Sequence, residues 1–349
     1  MKTKKVGIVG ASGYVGAELL RLCAGHPDFE VAVASAGESA GATIASLYPS
    51  LAGAYGDAAF VPSDPDALDG LDVVFLAMSH GRSQGLVPAL DGRVGAIVDL
   101  AADFRLKDPA VYARYYGQDH TEQDLLGSLA YGLPELFRDE ILAARDRTTA
   151  LVAAAGCYPT AAALALAPLV RANVISATGV VVDAASGVSG AGRGPAAHLH
   201  FAAVDENFTA YGLVDHRHTP EIEQATGASV LFTPHLAPMT RGIFATCYAR
   251  PSPPEAGGPA PQDALAVLAA AYATEPFVAV TPGVPSTKTA WGSNSAYVTA
   301  RYDARTGWVL ALSAIDNLGK GAAGQAVQCA NLLMGIPEAT GLSVTGVYP

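Results

Sequence analysis

The sequence predicts an α/β fold, a doubly wound parallel sheet, followed by an α+β domain on a mixed sheet. Three observations carry this. The chain of 349 residues exceeds what one small core organises, which points to two domains. Up to Ala155, short apolar runs alternate with helical segments, the grammar of a parallel sheet wrapped by helices. Beyond Cys157, strand-like runs follow one another with fewer helices between them, as a mixed or antiparallel sheet requires.

Taken in order, "KKVGIVG" reads as a strand that enters the turn "GASGYVG", and "YVGAELLRLCAGH" as the helix after it. A strand, a glycine turn and a helix in that order make a Rossmann-type dinucleotide site. Backbone N–H groups can approach a pyrophosphate there, at the positive end of the helix. The turn offers Gly10, Ser12, Gly13, Tyr14, Val15 and Gly16. Its spacing is GxxGxxG rather than GxGxxG, and the competing reading is a tight turn that binds nothing.

The second strand, "FEVAVASA", ends in "ASAGES" where NAD sites place an acidic residue for the ribose. Ser35 and Ser39 suit a 2′-phosphate that a carboxylate would repel, whereas the nearby Glu38 opposes it. The expectation is NADP(H). "DVVFLAM" and "GAIVDLA" are further strands, and "DLAADFRL" puts Arg105 just past one of them. Ligands of open sheets lie at that end, and a guanidinium fork suits phosphate or carboxylate. A surface salt bridge is the equal alternative.

"TTALVAAAG" is a buried strand and "PTAAALALAPLVRA" a helix with proline in its first turn, so Cys157 falls at a helix N-terminus. A thiol there can lose its proton at neutral pH. Cys23, Cys247 and Cys329 sit in apolar patterns and read as small buried hydrophobes. "SGVSGAGR" (Ser186, Gly187, Ser189, Arg193) follows a strand and can wrap an anion or merely turn. "VDHRHTPEI" sets His216 and His218 in a loop before a helix that opens with Thr219, Pro220 and Glu221. Either imidazole can move a proton for a thiol. A surface histidine beside an N-cap Thr219 is the alternative. Two HxH pairs without a third ligand do not make a metal site, and no metal is expected.

The Pro/Gly-rich stretch "RPSPPEAGGPAPQDA" is a surface loop, and "KGAAGQAVQCANLLMG" is a last helix stopped by Gly335 and Pro337. Half the residues are hydrophobic and 15% charged, with a net charge of −11, which argues against a nucleic-acid surface. No apolar stretch reaches the ~18 residues of a membrane span, and no signal-peptide pattern opens the chain. A cytoplasmic protein is expected.

These pieces together resemble the N-acetyl-γ-glutamyl-phosphate reductase family of the semialdehyde dehydrogenase group. The resemblance runs through "GIVGASGYVGAELLRL", "DLAADFRL", "YGLPEL", "GCYPTAA", "SGVSGAGR", "HRHTPEI", "TPHLAPMTRGI" and "AIDNLGKGAAGQAVQ", in that order. It implies an NADP-binding Rossmann domain at 1–155, completed by a C-terminal helix at 320–349. A catalytic and oligomerisation domain at 156–319 goes with it, in a homodimer or homotetramer.

The resemblance further implies reduction of an acyl phosphate by NADPH to a semialdehyde and phosphate, in arginine biosynthesis. Cys157 matches the nucleophile that forms a thioester, and the His216/His218 loop matches the acid/base, with His218 taken ahead of His216. Ser79, His80, Gly81 and Asn317 match the cofactor side. Arg105, Ser186, Gly187, Ser189, Arg193, Glu221 and Arg241 match the substrate side. One departure stands out: the family commonly carries Asn-Pro before Gly-Cys, and this chain has Ala154-Ala155. The competing functions are the same chemistry on an aminoadipyl or aspartyl phosphate, and a non-catalytic NADP-binding redox sensor.

Overall fold

The computed structural model describes residues 3–349. The chain forms two compact units: the first runs to Ala155 and takes back Ala322–Leu342, and the second holds Gly156–Gly321 and Ser343–Pro349. Residues 320–349 therefore do not complete the first unit as one piece. Ser343 O accepts Asn294 N–H at 2.8 Å, and Trp291 O accepts Val347 N–H at 2.7 Å. The backbone of the tail finds its partners in the second unit.

In the first unit, β1 (Lys4–Val9), α1 (Tyr14–Ala24), β2 (Phe29–Ser35), β3 (Val73–Leu76), α2 (Ser83–Leu90), β4 (Ala96–Asp99), α3 (Pro109–Tyr116), β5 (Ala130–Gly132), α4 (Pro134–Ala143) and β6 (Ala150–Ala154) follow in order. The six strands pair in parallel as β2-β1-β3-β4-β6-β5. Both faces are covered. Val6, Ile8, Val73, Phe75, Val98 and Val152 face one apolar cluster, while Val9, Val74, Leu76, Ile97 and Leu151 face the other. This alternation makes the strands apolar throughout. From β1 the chain winds to β2 on one side and to β3 on the other, so the topological switch lies between β1 and β3. Ligands of such sheets bind beyond the strand ends at that point.

The return helix, Gly324–Leu333, adds Ala326, Val327, Ala330 and Leu333 to the first of those clusters. A buried polar clasp holds it. Asn331 Oδ1 lies 3.0 Å from His26 Nε2, and Asn331 Nδ2 donates to Glu338 O and Thr340 O. His26 Nδ1 accepts the Asp28 N–H, so the neutral ring carries its proton on Nε2.

The second unit opens with α5 (Cys157–Arg171), then β7 (Val180–Gly187), β8 (Thr209–Ala210), α6 (Thr219–Thr226), β9 (Val230–Ala237), β10 (Ile243–Ala249), α7 (Ala264–Ala271), β11 (Val278–Val280), β12 (Ala296–Asp303) and β13 (Trp308–Ile315). Its sheet is mixed, in the order β11-β12-β13-β10-β7-β9-β8. Helix α5 is buried from Tyr158 to Leu169. It packs on α6, α7, β10, β12 and β13, as a helix apolar all round must. Residues of β7 and β10 alternate between buried and half-buried, so one sheet face is core and the other is open. Among the described residues no helix is long and apolar enough to cross a membrane.

Removing the Asn331 amide takes a donor from the part-buried carbonyls of Glu338 and Thr340 and the acceptor from the buried His26 ring. Asn331→Ala is expected to lower unfolding stability by about 1–3 kcal/mol, read as a shift of the urea midpoint at constant slope.

Candidate active site

The glycine turn sits at the switch point. Gly10 has φ +80°, and a Cβ on it would meet Ala77 O, beyond β3, at 2.3 Å. A Cβ on Gly16 would lie 2.5 Å from Ala11 Cα. Those two glycines are demanded by the protein's own packing. Gly13, the N-cap of α1, is not: its Cβ would meet only Gly10 O, at 3.5 Å, and its φ is −79°. The protein leaves open space there, which fits a phosphate lying over the helix N-terminus.

Ser12 O accepts the Tyr48 hydroxyl. Tyr14 and Val15 begin α1, with Tyr14 exposed. Ser35 ends β2 buried, and its carbonyl accepts Gly10 N–H and Ala11 N–H. Ser39 is half-buried and Glu38 exposed on the loop beyond. Ser79, His80 and Gly81 form an exposed turn after β3, with Gly81 at φ +80°. Arg105 is largely buried, and its Nη2 donates to Leu100 O at 2.9 Å.

In the second unit, Cys157 is the first residue of α5, with Gly156 as N-cap. Pro159 costs no hydrogen bond in that first turn. The nucleophile loop is clamped by Glu221, a buried carboxylate whose Oε1 accepts Gly156 N–H at 2.7 Å. Glu221 was expected on the substrate; here it holds the loop that carries the thiol. Gly321 runs against the same residue, and a Cβ on it would lie 2.9 Å from Cys157 Cβ. Burial pushes the Cys23 and Cys247 thiols up to about 12, which leaves both inert as nucleophiles.

Tyr158 brings the two histidines to the residue after the thiol. Its ring takes His216 edge-on at 5.8 Å and His218 at 6.0 Å, and the two imidazoles lie 5.0 Å apart. The Tyr158 hydroxyl donates to His235 O and accepts from Tyr211. Burial holds its phenol far above the usual range, so it stays a donor.

The two histidines differ. His216 is packed among Tyr158, Tyr211 and Phe232, and its Nδ1 accepts His218 N–H at 3.0 Å. Burial, helped by the Arg217 charge and opposed by Asp215, lowers its pKa to about 4. It stays neutral and braces the loop. His218 is the N-cap of α6, not a neighbour of an N-cap Thr219, and Glu221 follows three residues on in the same first turn.

The anion-loop candidates are tied to one another. Asn317 Nδ2 donates to Ser189 Oγ, and its Oδ1 accepts Gly242 N–H. Gly187 N–H and Ser189 N–H donate to Gly242 O and Thr240 O. Ser186 is buried, with its hydroxyl on Gly187 O. Arg193 is exposed on the loop beyond. Arg241 is gripped at two points by Asp316, Nε to Oδ1 at 3.1 Å and Nη2 to Oδ2 at 3.0 Å. Sequence reasoning passed over Asp316, Tyr158 and Tyr211. Asp316 adjoins the chosen Asn317 and closes a strand, which was a usable signal; the tyrosines gave none. Among the described residues no three His, Cys, Asp or Glu side chains gather as a metal site.

Two descriptions of the semialdehyde dehydrogenase family match the chain, its NAD binding domain over residues 5–144 and its dimerisation domain over 157–317. N-acetyl-γ-glutamyl-phosphate reductase of Symbiobacterium thermophilum is 48% identical, covering 99% of this chain and 100% of that one. The protein of that name from Salinispora arenicola is 49% identical, covering 99% of each. The chain belongs to the N-acetyl-γ-glutamyl-phosphate reductase family.

The fold is shared with more distant proteins of known structure. Aspartate semialdehyde dehydrogenase II of Vibrio cholerae, in a complex with ASA, superposes with a TM-score of 0.69 at 17% identity, over 96% of this chain and 99% of that one. The Candida albicans enzyme with NADP gives 0.68 at 16% identity, over 95% and 99%. As a member of the reductase family, this chain binds a nicotinamide cofactor.

A histidine buried neutral adds stability above its unfolded pKa and loses it as pH falls through the folded value. For His216 that window runs from 6.5 down to about 4. His216→Asn keeps an acceptor for His218 N–H and should flatten this acid limb, saving of order 1–2 kcal/mol at pH 4 relative to wild type. Urea midpoints between pH 4 and 7 read the difference.

Proposed function

We propose that the chain reduces N-acetyl-γ-glutamyl phosphate to the 5-semialdehyde with release of phosphate, through a thioester on Cys157. The observation that carries this is the clamp at the nucleophile. One helix, α6, supplies both the carboxylate that holds Gly156 and the N-cap His218, and both imidazoles rest on Tyr158.

Sγ of Cys157, as thiolate, bonds to the acyl carbon, the carbon–oxygen bond to phosphate breaks, and phosphate leaves with the electron pair. The positive end of α5 stabilises both the sulfur anion and the tetrahedral oxyanion. His218 takes the thiol proton and returns one to the carbonyl oxygen of the reduced carbon, while neutral His216 fixes its loop. His218 takes that hydroxyl proton back as the carbon–sulfur bond breaks, so the aldehyde forms and sulfur leaves as thiolate. NADPH, when bound, would supply the hydride for this chemistry. The turn Gly10–Gly16 and Ser79–Gly81 would hold it, and the family resemblance assigns Asn317 to the cofactor as well. Arg241, aimed by Asp316, and Arg105 are the cations offered to the anionic substrate, with Ser186, Gly187, Ser189 and Arg193 shaping the loop. NADP is preferred over NAD because β2 ends in Ser35 rather than an acid.

A second copy of this chain covers the open face of the mixed sheet. Val181, Tyr248 and Leu310 form one half-buried row across β7, β10 and β13, and Phe244 and Leu312 extend it. The dimerisation description spans these strands.

Cys157→Ala should cut turnover at least ~1,000-fold and leave NADPH affinity within about twofold, by steady-state assay and fluorescence titration. Retained turnover would sink covalent catalysis. Comparing kcat/KM for the two cofactors should favour NADPH by at least about tenfold; a preference for NADH would reverse the cofactor assignment.

A further inference from the structure

Beneath the exposed Ser79–Gly81 turn lies a polar cluster that the proposed reaction does not use. Asp99 ends β4, Ser83 opens α2, and Asp103 lies on the loop after β4; all three are 0% exposed. Asp103 Oδ1 accepts Gly81 N–H at 2.6 Å and the Tyr112 hydroxyl at 3.0 Å. Its Oδ2 accepts Ser83 N–H at 3.0 Å and lies 2.9 Å from Ser83 Oγ. Asp99 Oδ1 accepts Ala101 N–H, and its Oδ2 lies 3.1 Å from the same Ser83 Oγ.

A serine hydroxyl has one proton to donate, yet Ser83 Oγ touches a carboxyl oxygen on each side. With both carboxyls ionised, one of these contacts sets lone pair against lone pair in a dry interior, where that is costly. One added proton satisfies every atom. Asp103 already receives three other donors at its two oxygens, and a proton there would displace one of them. Asp99 receives one, so the proton belongs there. Asp99 Oδ2–H donates to Ser83 Oγ, Ser83 Oγ–H donates to Asp103, and Asp103 holds Gly81.

The surroundings agree. The strands beside Asp99 present Leu76 and Ala153 at its register. Among the described residues, Asp103 and Arg105 are the charged groups acting on it. Burial first, then the Asp103 charge, raise its pKa to about 7, with Arg105 opposing. His120, on the far side of Tyr112, is kept toward its neutral form by burial.

We propose that Asp99 is a positioning residue for the nucleotide: protonated, it acts through Ser83 and Asp103 to set the Ser79–Gly81 turn in its binding conformation. This rests on the reading that the turn lines NADPH. When Asp99 ionises, a second negative charge faces Asp103 and the Ser83 relay breaks, so the turn loosens.

The test is the Kd of NADPH for the full chain and for Asp99→Asn, by fluorescence between pH 6 and 8.5. The asparagine amide donates to Ser83 at every pH. The 2′-phosphate titrates alike in both proteins, so the difference between profiles reads Asp99. Wild type should weaken roughly tenfold more than the variant across this range, while the variant matches wild type at pH 6. An infrared carboxylic-acid band that disappears near pH 7 in wild type should accompany this, and reads the proton even if the variant folds poorly. Superimposable binding profiles, or no such band, overturn the proposal. Failure of wild type to bind NADPH at any pH overturns the nucleotide reading, and the turn's role with it.

Discussion

The hydrogen bond from Gly156 N–H to Glu221 Oε1, at 2.7 Å, joins the two halves of the candidate chemistry. It ties the residue before the thiol to the helix whose first turn carries His218, across 65 residues of chain. A bond between an amide and a buried carboxylate is strong because water cannot compete for either group. Without it, a nucleophile at the end of a strand would depend on the stiffness of its loop alone.

The loop carries Ala154-Ala155 where the resemblance led to an expectation of Asn-Pro, and the structure shows what Ala155 contributes. Ala155 N–H donates to Gly132 O at 3.3 Å. Proline has no N–H and could not make this bond. A restraint on one backbone dihedral is exchanged for a hydrogen bond to the neighbouring strand, and the next amide goes to Glu221. The Ala154-Ala155 change, the one feature favouring a non-catalytic reading, therefore leaves the thiol held at successive residues.

The same economy of buried carboxylates recurs. Asp316, 0% exposed, accepts Leu318 N–H, Gly319 N–H and Gly292 N–H while gripping Arg241. Asn317 beside it laces the loops after β7 and before β10. Asp103 does this for the turn after β3. In each case one side chain gathers backbone donors of an irregular segment, and the exposed residues beyond it inherit a defined geometry.

What the sequence determined by itself was local. The strand–glycine–helix order, the apolar strands, the proline in the first turn after Cys157 and the three buried cysteines were legible because each depends on neighbouring residues and on period. The order of motifs also placed the chain in its family. Only the tertiary structure decided how side chains were spent. Glu221 gave one carboxylate oxygen to Gly156 N–H, and His216 became a neutral brace while His218 capped the helix. Asp316 and Tyr158 emerged as organisers, and the final segment crossed back to the second unit. These outcomes hang on pairings between residues distant in the chain and on burial that moves a proton, and neither leaves a periodic mark in the sequence.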